Sequence, residues 1–195
     1  MALQKFSPVE FKVDIEGISP LVLHRFSEKA RKQMRDKKLG ITGRTRNREA
    51  CDPEAEMNDA RYLVDGVDHI PAMALKNAII GAAHRDIGIM KTDVRKSLFL
   101  VVDGMHPDNT PVIVLQAGEP RNFEAPVTVG QSKDLRWRPM WEKWAVSVKM
   151  IIATEGLPLD TLTELIQRAG FGVGVGEWRP EKGGDFGRFQ IPGDR

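Results

Sequence analysis

Residues 170–189, which read GFGVGVGEWRPEKGGDFGRF, form the most distinctive stretch of the sequence. Glycine has no Cβ and is used where the backbone turns sharply or approaches another group closely. The pattern predicts a tight loop that leads into a last strand. Backbone amides beside Arg179, Lys182 and Arg188 could cradle phosphate groups. A hairpin with a glycine-lined packing surface is an equally compatible interpretation.

Length and composition indicate one folded domain over residues 1–195. The chain has 195 residues, 41% of them hydrophobic, which is enough to fill a core. Cys51 is the single cysteine, so an internal disulfide is excluded and a cysteine-built zinc site is disfavoured. The first residues lack the apolar core of a signal peptide, and no apolar run approaches about 18 residues. We therefore expect a cytoplasmic protein without membrane contact.

Positive charge is concentrated in one segment. The formal net charge is only +2, but residues 25–48 carry +8 and leave −6 for the remainder. Such asymmetry indicates a surface that meets a polyanion, although a solvated basic helix followed by a flexible loop is the alternative. The basic residues of this segment are Arg25, Lys29, Arg31, Lys32, Arg35, Lys37, Lys38, Arg44, Arg46 and Arg48.

The first third of the chain predicts a strand followed by an insertion. Apolar and polar residues alternate from Val9 to Glu16, as in a half-buried strand. Ser27 is typical of an N-cap and predicts a surface helix to about Lys38. Residues 39–57 show no periodicity and predict a flexible excursion. Residues 20–60 would thus be a basic helical or flexible insertion.

The rest of the chain predicts alternating helices and strands. Asp65-Gly66 suits a two-residue hairpin turn, and a helix follows Ile70-Pro71. Strands are expected over 97–103, 112–115 and 144–152, with residues 118–138 as a loop. A capping box at 161–164 would open the last helix, ending at Gly170. Without the insertion the order approaches β-α-β-β-α-β, so the predicted fold is α+β, ferredoxin-like (split βαβ).

Two motifs resemble the RAMP superfamily, which includes the Cascade-type backbone subunits of CRISPR effector complexes. Residues 65–79 read DGVDHIPAMALKNAI, in which Ile70, Pro71, Leu75 and Lys76 match an Ile-Pro-Gly-Ser-Ser-Leu-Lys-Gly-like run. Small polar residues of that run are replaced over 72–74, which weakens phosphate binding at the helix start. Residues 170–189 resemble the superfamily's C-terminal glycine loop.

The resemblance implies a fold that binds single-stranded RNA or DNA, often with copies stacked along the strand. It is compatible with a bacterial CRISPR-associated protein or with a phage-encoded relative that has another role. The protein would then act in the cytoplasm of a bacterial or phage-infected host cell, as a homo-oligomer or within a multi-subunit complex.

Nucleic-acid binding needs cations along the backbone and aromatic rings where bases stack. Besides the basic segment, candidates are Lys76, Lys133, Arg136, Trp137, Arg138, Trp178, Arg179, Lys182 and Arg188. Each of these two tryptophans could instead serve packing. An RRM would need exposed aromatic residues on its central strands, whereas the strand at 144–152 offers Ser147 and Lys149. Charge-driven, sequence-tolerant binding is therefore the leading hypothesis.

Catalysis is the main alternative hypothesis. Some members of the superfamily are metal-independent ribonucleases that use a histidine or an aspartate, and His24 is the candidate here, with Asp36 a poorer one. An ordinary buried or capping histidine is the simpler interpretation of His24. The other histidines lack ligand spacing, so we expect no metal and no cofactor. A third hypothesis is a viral structural or anti-defence protein whose basic arm binds another protein.

Overall fold

The structure, a computed structural model, describes residues 6–41, 51–84, 88–129 and 132–193. Its helices are α1 (Glu28–Lys38), α2 (Pro53–Asp59), α3 (Ala72–Ala82), α4 (Lys91–Ser97) and α5 (Leu159–Arg168). Its strands are β1 (Val9–Gly17), β2 (Leu21–Val22), β3 (Leu63–Val64), β4 (Val67–Pro71), β5 (Leu98–Val101), β6 (Gly104–Met105), β7 (Pro111–Val114), β8 (Gln116–Ala117), β9 (Arg121–Val129), β10 (Ser132–Trp141), β11 (Trp144–Ile152) and β12 (Phe189–Gln190).

The largest sheet has five strands in the order β12-β1-β11-β5, with β8 also paired to β11, and every pair in it is antiparallel. Strands β1 and β11 pair along their length, from Val9 opposite Ile152 to Glu16 opposite Ala145. Alternate residues of β11 are buried, because one face of the sheet meets the core and the other meets solvent. The strands predicted from alternation over 9–16 and 144–152 are confirmed.

Helices α3 and α5 cover the inner face of this sheet. Leu75 and Ile79 of α3 and Leu162 and Leu165 of α5 are fully buried in one core with the inner side chains of β1 and β11. Their spacing places them on one side of each helix. The predicted α+β class is confirmed, with several antiparallel sheets.

Two smaller sheets flank this core, in the orders β2-β10-β9 and β3-β4-β7-β6. Asp65 and Gly66 join β3 to β4 with φ of 51° and 77°, the geometry of the predicted primed turn. The loop expected at 118–138 is wrong, because β9 and β10 form a long hairpin there. Each of the two strands contains a proline and has charged residues on both faces, so neither shows the alternation of apolar and polar residues that predicts a strand.

The region after β2 contains two helices. Helix α1 matches the predicted helix, and most of its described side chains are exposed. Residues 51–57 do not continue a flexible excursion: Asp52 caps α2 by accepting hydrogen bonds from the amides of Glu54 and Ala55, and Pro53 occupies the first turn. Helix α2 packs on β10 and β9.

The boundaries of α4 and α5 also differ from expectation. Ser97 ends α4 instead of opening a strand. Helix α5 begins at Leu159 after Pro158, whose φ of −58° already suits helical entry, so the predicted capping box lies inside the helix. A π-helical turn over Ala169–Val173 continues it past Gly170. Each helix among the described residues is too short or too polar to span a bilayer.

Candidate nucleic-acid interface

The glycine-rich loop at 170–188 uses much of its backbone to hold itself against the body. The Val175 amide donates to the Gly187 carbonyl at 2.9 Å, and the Gly187 amide donates to the Pro20 carbonyl at 2.7 Å. Gly187 has φ of 65°, and a Cβ there would overlap the Val175 carbonyl oxygen. These contacts support the packing interpretation of this loop over a cradle of free amides.

The same loop lies beside the start of the basic segment. The Glu177 amide donates to the Val22 carbonyl at 2.9 Å, and Oε1 of Glu177 lies 3.0 Å from Nδ1 of His24. Both side chains keep about three tenths of their surface exposed, 27% for His24 and 32% for Glu177. The glycine loop therefore contacts His24, which directly precedes the α1 arm, defined as residues 25–41.

Arg138 lies behind this contact and is only 6% exposed. Its Nε lies 3.3 Å from Oε2 of Glu177, and its Nη1 lies 3.5 Å from Oε1 of Glu56 on α2. Burial raises the pKa of Glu177, but the hydrogen bond from His24 and the charge of Arg138 outweigh it, so the pKa lies below its ordinary value. The guanidinium thus joins β10, α2 and the glycine loop.

Four other candidate arginines also have partners within the chain. Arg25 donates to the Arg61 carbonyl at 2.9 Å, and Arg31 lies 3.4 Å from the Asp108 carboxylate. The remaining two pair with acids on their own elements: Arg136 with Asp134 at 2.7 Å, and Arg179 with Glu181 at 2.7 Å. Pairing leaves these arginines partly exposed, yet it reduces the charge that each offers to a ligand.

Six candidate cations of the described chain are exposed and have no ion pair there. Four of them lie on the α1 arm and the others on β10 and at the short 3₁₀ turn Pro180–Lys182: Lys32, Arg35, Lys37, Lys38, Lys133 and Lys182. The side chain of Lys29 and all of Arg44, Arg46 and Arg48 lie outside the described residues. Among the candidate residues that the structure describes, most of the unpaired positive charge thus lies on the α1 arm.

The remaining candidates contact aromatic rings. The Lys76 ammonium lies 4.6 Å from the centroid of Phe99, and the Arg188 guanidinium lies 5.3 Å from that of Phe171. Both contacts fall in the range of cation–π attraction. Neither cation lines the open groove that lies between the glycine loop and β9.

An open groove of about 490 Å³ lies between the glycine loop and β9. Pro126 and Val127 line one side, and residues 176–179 together with Lys182 line the other. Trp178 packs edge-to-face against Phe123 with centroids 5.6 Å apart. Trp137, the other tryptophan candidate, is half-buried on β10 and does not line the groove.

The outer face of the largest sheet, in contrast, has a small net negative charge. Its exposed charges on β1 and β11 are Glu10, Lys12, Asp14 and Lys149, with the half-buried Glu16 beside them. These charges sum to −1, and the face presents no aromatic ring on either central strand. A polyanion would gain little there, which agrees with the expectation from Ser147 and Lys149.

Glu56 and Glu177 organise this region, although no pattern in the sequence marks either of them. Glu56 is one of several acids around α2, and Glu177 lies in the glycine-rich loop. Their shared partner is far away in sequence: Arg138 lies 39 residues from Glu177 and 82 from Glu56. No group of three or more potential metal ligands occurs in the described ranges. No model of a known protein family matches the sequence, and no curated protein is significantly similar to it.

Proposed function

We propose that the protein binds single-stranded nucleic acid, RNA or DNA, mainly through the sugar-phosphate backbone, and that copies assemble along the strand. The contact surface would run from the α1 arm to the groove beside the glycine loop. One observation carries the proposal. The exposed cations Lys32, Arg35, Lys37 and Lys38, which have no ion pair in the described chain, lie on an arm that directly follows His24, and His24 contacts Glu177 of the glycine loop.

The physical state of α1 supports this proposal. Most of its described side chains are exposed, and isolated helices of 11 residues are marginally stable in water. Lys32, Arg35 and Lys38 follow one another at a spacing of three residues, at which like charges are neighbours and repel. This row of unpaired cations extends about 9 Å at 1.5 Å per residue. A bound polyanion would supply the missing counter-charge.

A ferredoxin-like core of the RAMP type would fit the proposed function. In the order β12-β1-β11-β5, β1 lies between β12 and β11, and β5 lies at the edge beside β11. If β1, β5, β11 and β12 are counted as the first to fourth strands of the core, the order is 4-1-3-2. Helix α3 lies between β1 and β5 in sequence, and α5 between β11 and β12. This is the order that two split βαβ units would produce, and the resemblance of residues 65–79 and 170–189 to the superfamily points the same way.

A salt titration tests the proposal. The binding constant for a labelled single strand is measured by fluorescence anisotropy at several salt concentrations. Its logarithm should fall linearly with the logarithm of the salt concentration, with a slope of about −0.7 per phosphate contact. The double variant Lys37→Ala/Lys38→Ala should reduce the magnitude of the slope by about 1.4 if both contact phosphates. The matched control Lys12→Ala/Lys149→Ala removes the same charge from the outer face and should leave the slope unchanged. Absence of binding at low salt would refute the proposal.

A second candidate function is metal-independent endoribonuclease activity. The favouring observation is the pair of His24 and Glu177, 3.0 Å apart at the arm base and partly exposed. An ionised Glu177 accepts a hydrogen bond from Nδ1 and leaves Nε2 to exchange protons with a substrate. Cleavage of structured RNA in the presence of a chelator, abolished in His24→Ala, is the expected result. Equal product from both proteins would exclude this role.

A further inference from the structure

Trp178 has an unusual backbone conformation beside the groove. Its φ is 50°, a region that bulky side chains rarely adopt. The other described non-glycine residues with positive φ are Asp65 and Asn109, polar residues that tolerate it in turns. Such strain persists only where the surroundings hold it, and it clusters at binding sites.

Several contacts keep Trp178 in this position. Its carbonyl accepts a hydrogen bond from the Phe186 amide at 3.0 Å. Gly184 lies so close that a Cβ there would overlap the same carbonyl oxygen. The rings of Phe123 and Phe186 pack edge-to-face with centroids 5.8 Å apart, and Phe123 in turn contacts the indole. The indole is thus a fixed, half-buried wall of the groove.

The groove combines apolar and charged surface. Pro126 and Val127 on the β9 side and Trp178 on the loop side are apolar, whereas Lys182 is an exposed cation at the rim. Glu177 also lines the groove, but its carboxylate is already paired within the fold. Arg179 is already satisfied, because it donates to Glu181 and to the Gly176 carbonyl at 3.1 Å. An apolar wall beside one free ammonium suits a ligand with a flat ring and a phosphate. The volume of about 490 Å³ is within the range of small-molecule sites.

We propose that this groove holds the base of one nucleotide of the bound strand against Trp178, with a neighbouring phosphate at Lys182. The inference rests on the proposed function and adds a base-dependent site to a surface that otherwise contacts only the backbone. Every base has a π face, so stacking there would tolerate any sequence.

A pair of strands with equal charge tests this inference. One is a short thymidylate strand, and the other has the same phosphates but abasic sugars throughout. The wild type should bind the thymidylate strand at least about fivefold more tightly, since stacking contributes about 1–3 kcal/mol per base. Trp178→Ala should bind both strands equally, whereas Phe171→Ala, an exposed ring away from the groove, should keep the preference.

Two surface variants guard against misfolding of Trp178→Ala. Pro126→Glu places a negative charge in the groove and should reduce the preference for the thymidylate strand. Lys182→Ala should weaken the binding of both strands and leave that preference unchanged. Equal binding of both strands by the wild type would overturn the base site while leaving the proposed function intact. So would a preference retained in folded Trp178→Ala. If neither strand binds at low salt, the proposed function fails and the base site with it.

Discussion

Replacing Arg138 by alanine should destabilise the fold without changing contacts to phosphate. The guanidinium is 6% exposed and lies 3.3 Å from Glu177 and 3.5 Å from Glu56. Removing one partner of a buried ion pair costs about 3–5 kcal/mol, because the remaining charge stays buried without compensation. Here the stranded carboxylates are 20% and 32% exposed, so water relieves part of this cost. We expect a loss of about 3 kcal/mol in the free energy of unfolding.

Urea denaturation at neutral pH measures this loss. With an m-value of about 3 kcal/mol/M, the midpoint should fall by about 1 M while the slope stays unchanged. The matched control is Arg136→Ala on the same strand. Arg136 is 38% exposed and contacts Asp134 at 2.7 Å and Glu56 at 3.7 Å. An exposed pair of this kind contributes at most about 1 kcal/mol.

The double variant Arg138→Ala/Glu177→Gln distinguishes a stranded charge from lost packing. Neutralising Glu177 removes one uncompensated carboxylate, so the double variant should regain part of the lost stability. The salt dependence of nucleic-acid binding should match that of the wild type in any folded Arg138 variant. An Arg138→Ala protein no less stable than Arg136→Ala would refute the structural role of Arg138.

Two further predictions concern stability. Burial raises the pKa of Asp108, but hydrogen bonds from Thr110 and His106 outweigh this effect and lower the pKa from 3.8 to about 2. The lowered pKa stabilises the fold by about 2 kcal/mol above pH 4, and this contribution is lost as the pH falls towards 2. Urea midpoints across this range should fall less in Asp108→Asn than in the wild type. Gly187→Ala should lower the melting temperature more than Gly66→Ala does, because both positions have positive φ but only Gly187 is crowded by neighbouring atoms. Equal shifts of the melting temperature in the two variants would contradict this prediction.

The sequence predicts those elements whose structure depends on neighbouring residues or on the burial of a single face. Strand β11 was predicted to the residue because one of its faces is buried, which imposes a period of two over Trp144–Ile152. The turn at Asp65-Gly66 was predicted because both positions require positive φ. The start of α1 was indicated by Ser27, next to Glu28 in the first turn.

Other elements depend on tertiary contacts or on local signals that their lack of periodicity hides. Strands β9 and β10 pair along a long hairpin in spite of Pro126 and Pro139, so their partners define them better than their own pattern does. Helix α2 carries a clear start signal in Asp52-Pro53, which the lack of apolar periodicity obscured. Propensity is a weak guide when packing decides.

The candidate site was predictable in its charge but not in its geometry. Clustered cations identified the α1 arm, and the glycines identified a loop with close backbone approach. The sequence did not show that the loop's amides bond within the fold, as the Val175 amide does. Nor did it show that Arg138 is buried between Glu56 and Glu177, because those acids are distant in sequence and only the folded chain brings them together.

Photo-crosslinking tests the central claim most directly, namely that the α1 arm and the glycine-loop groove contact one strand together. A short single strand with photoreactive thiouridine throughout would be bound at low salt, irradiated, and mapped by mass spectrometry of the digested protein. We expect crosslinked peptides from residues 25–41 and 176–182 and none from the outer face around Glu10–Glu16. Crosslinks confined to the outer face, or to only one of the two regions, would contradict the account.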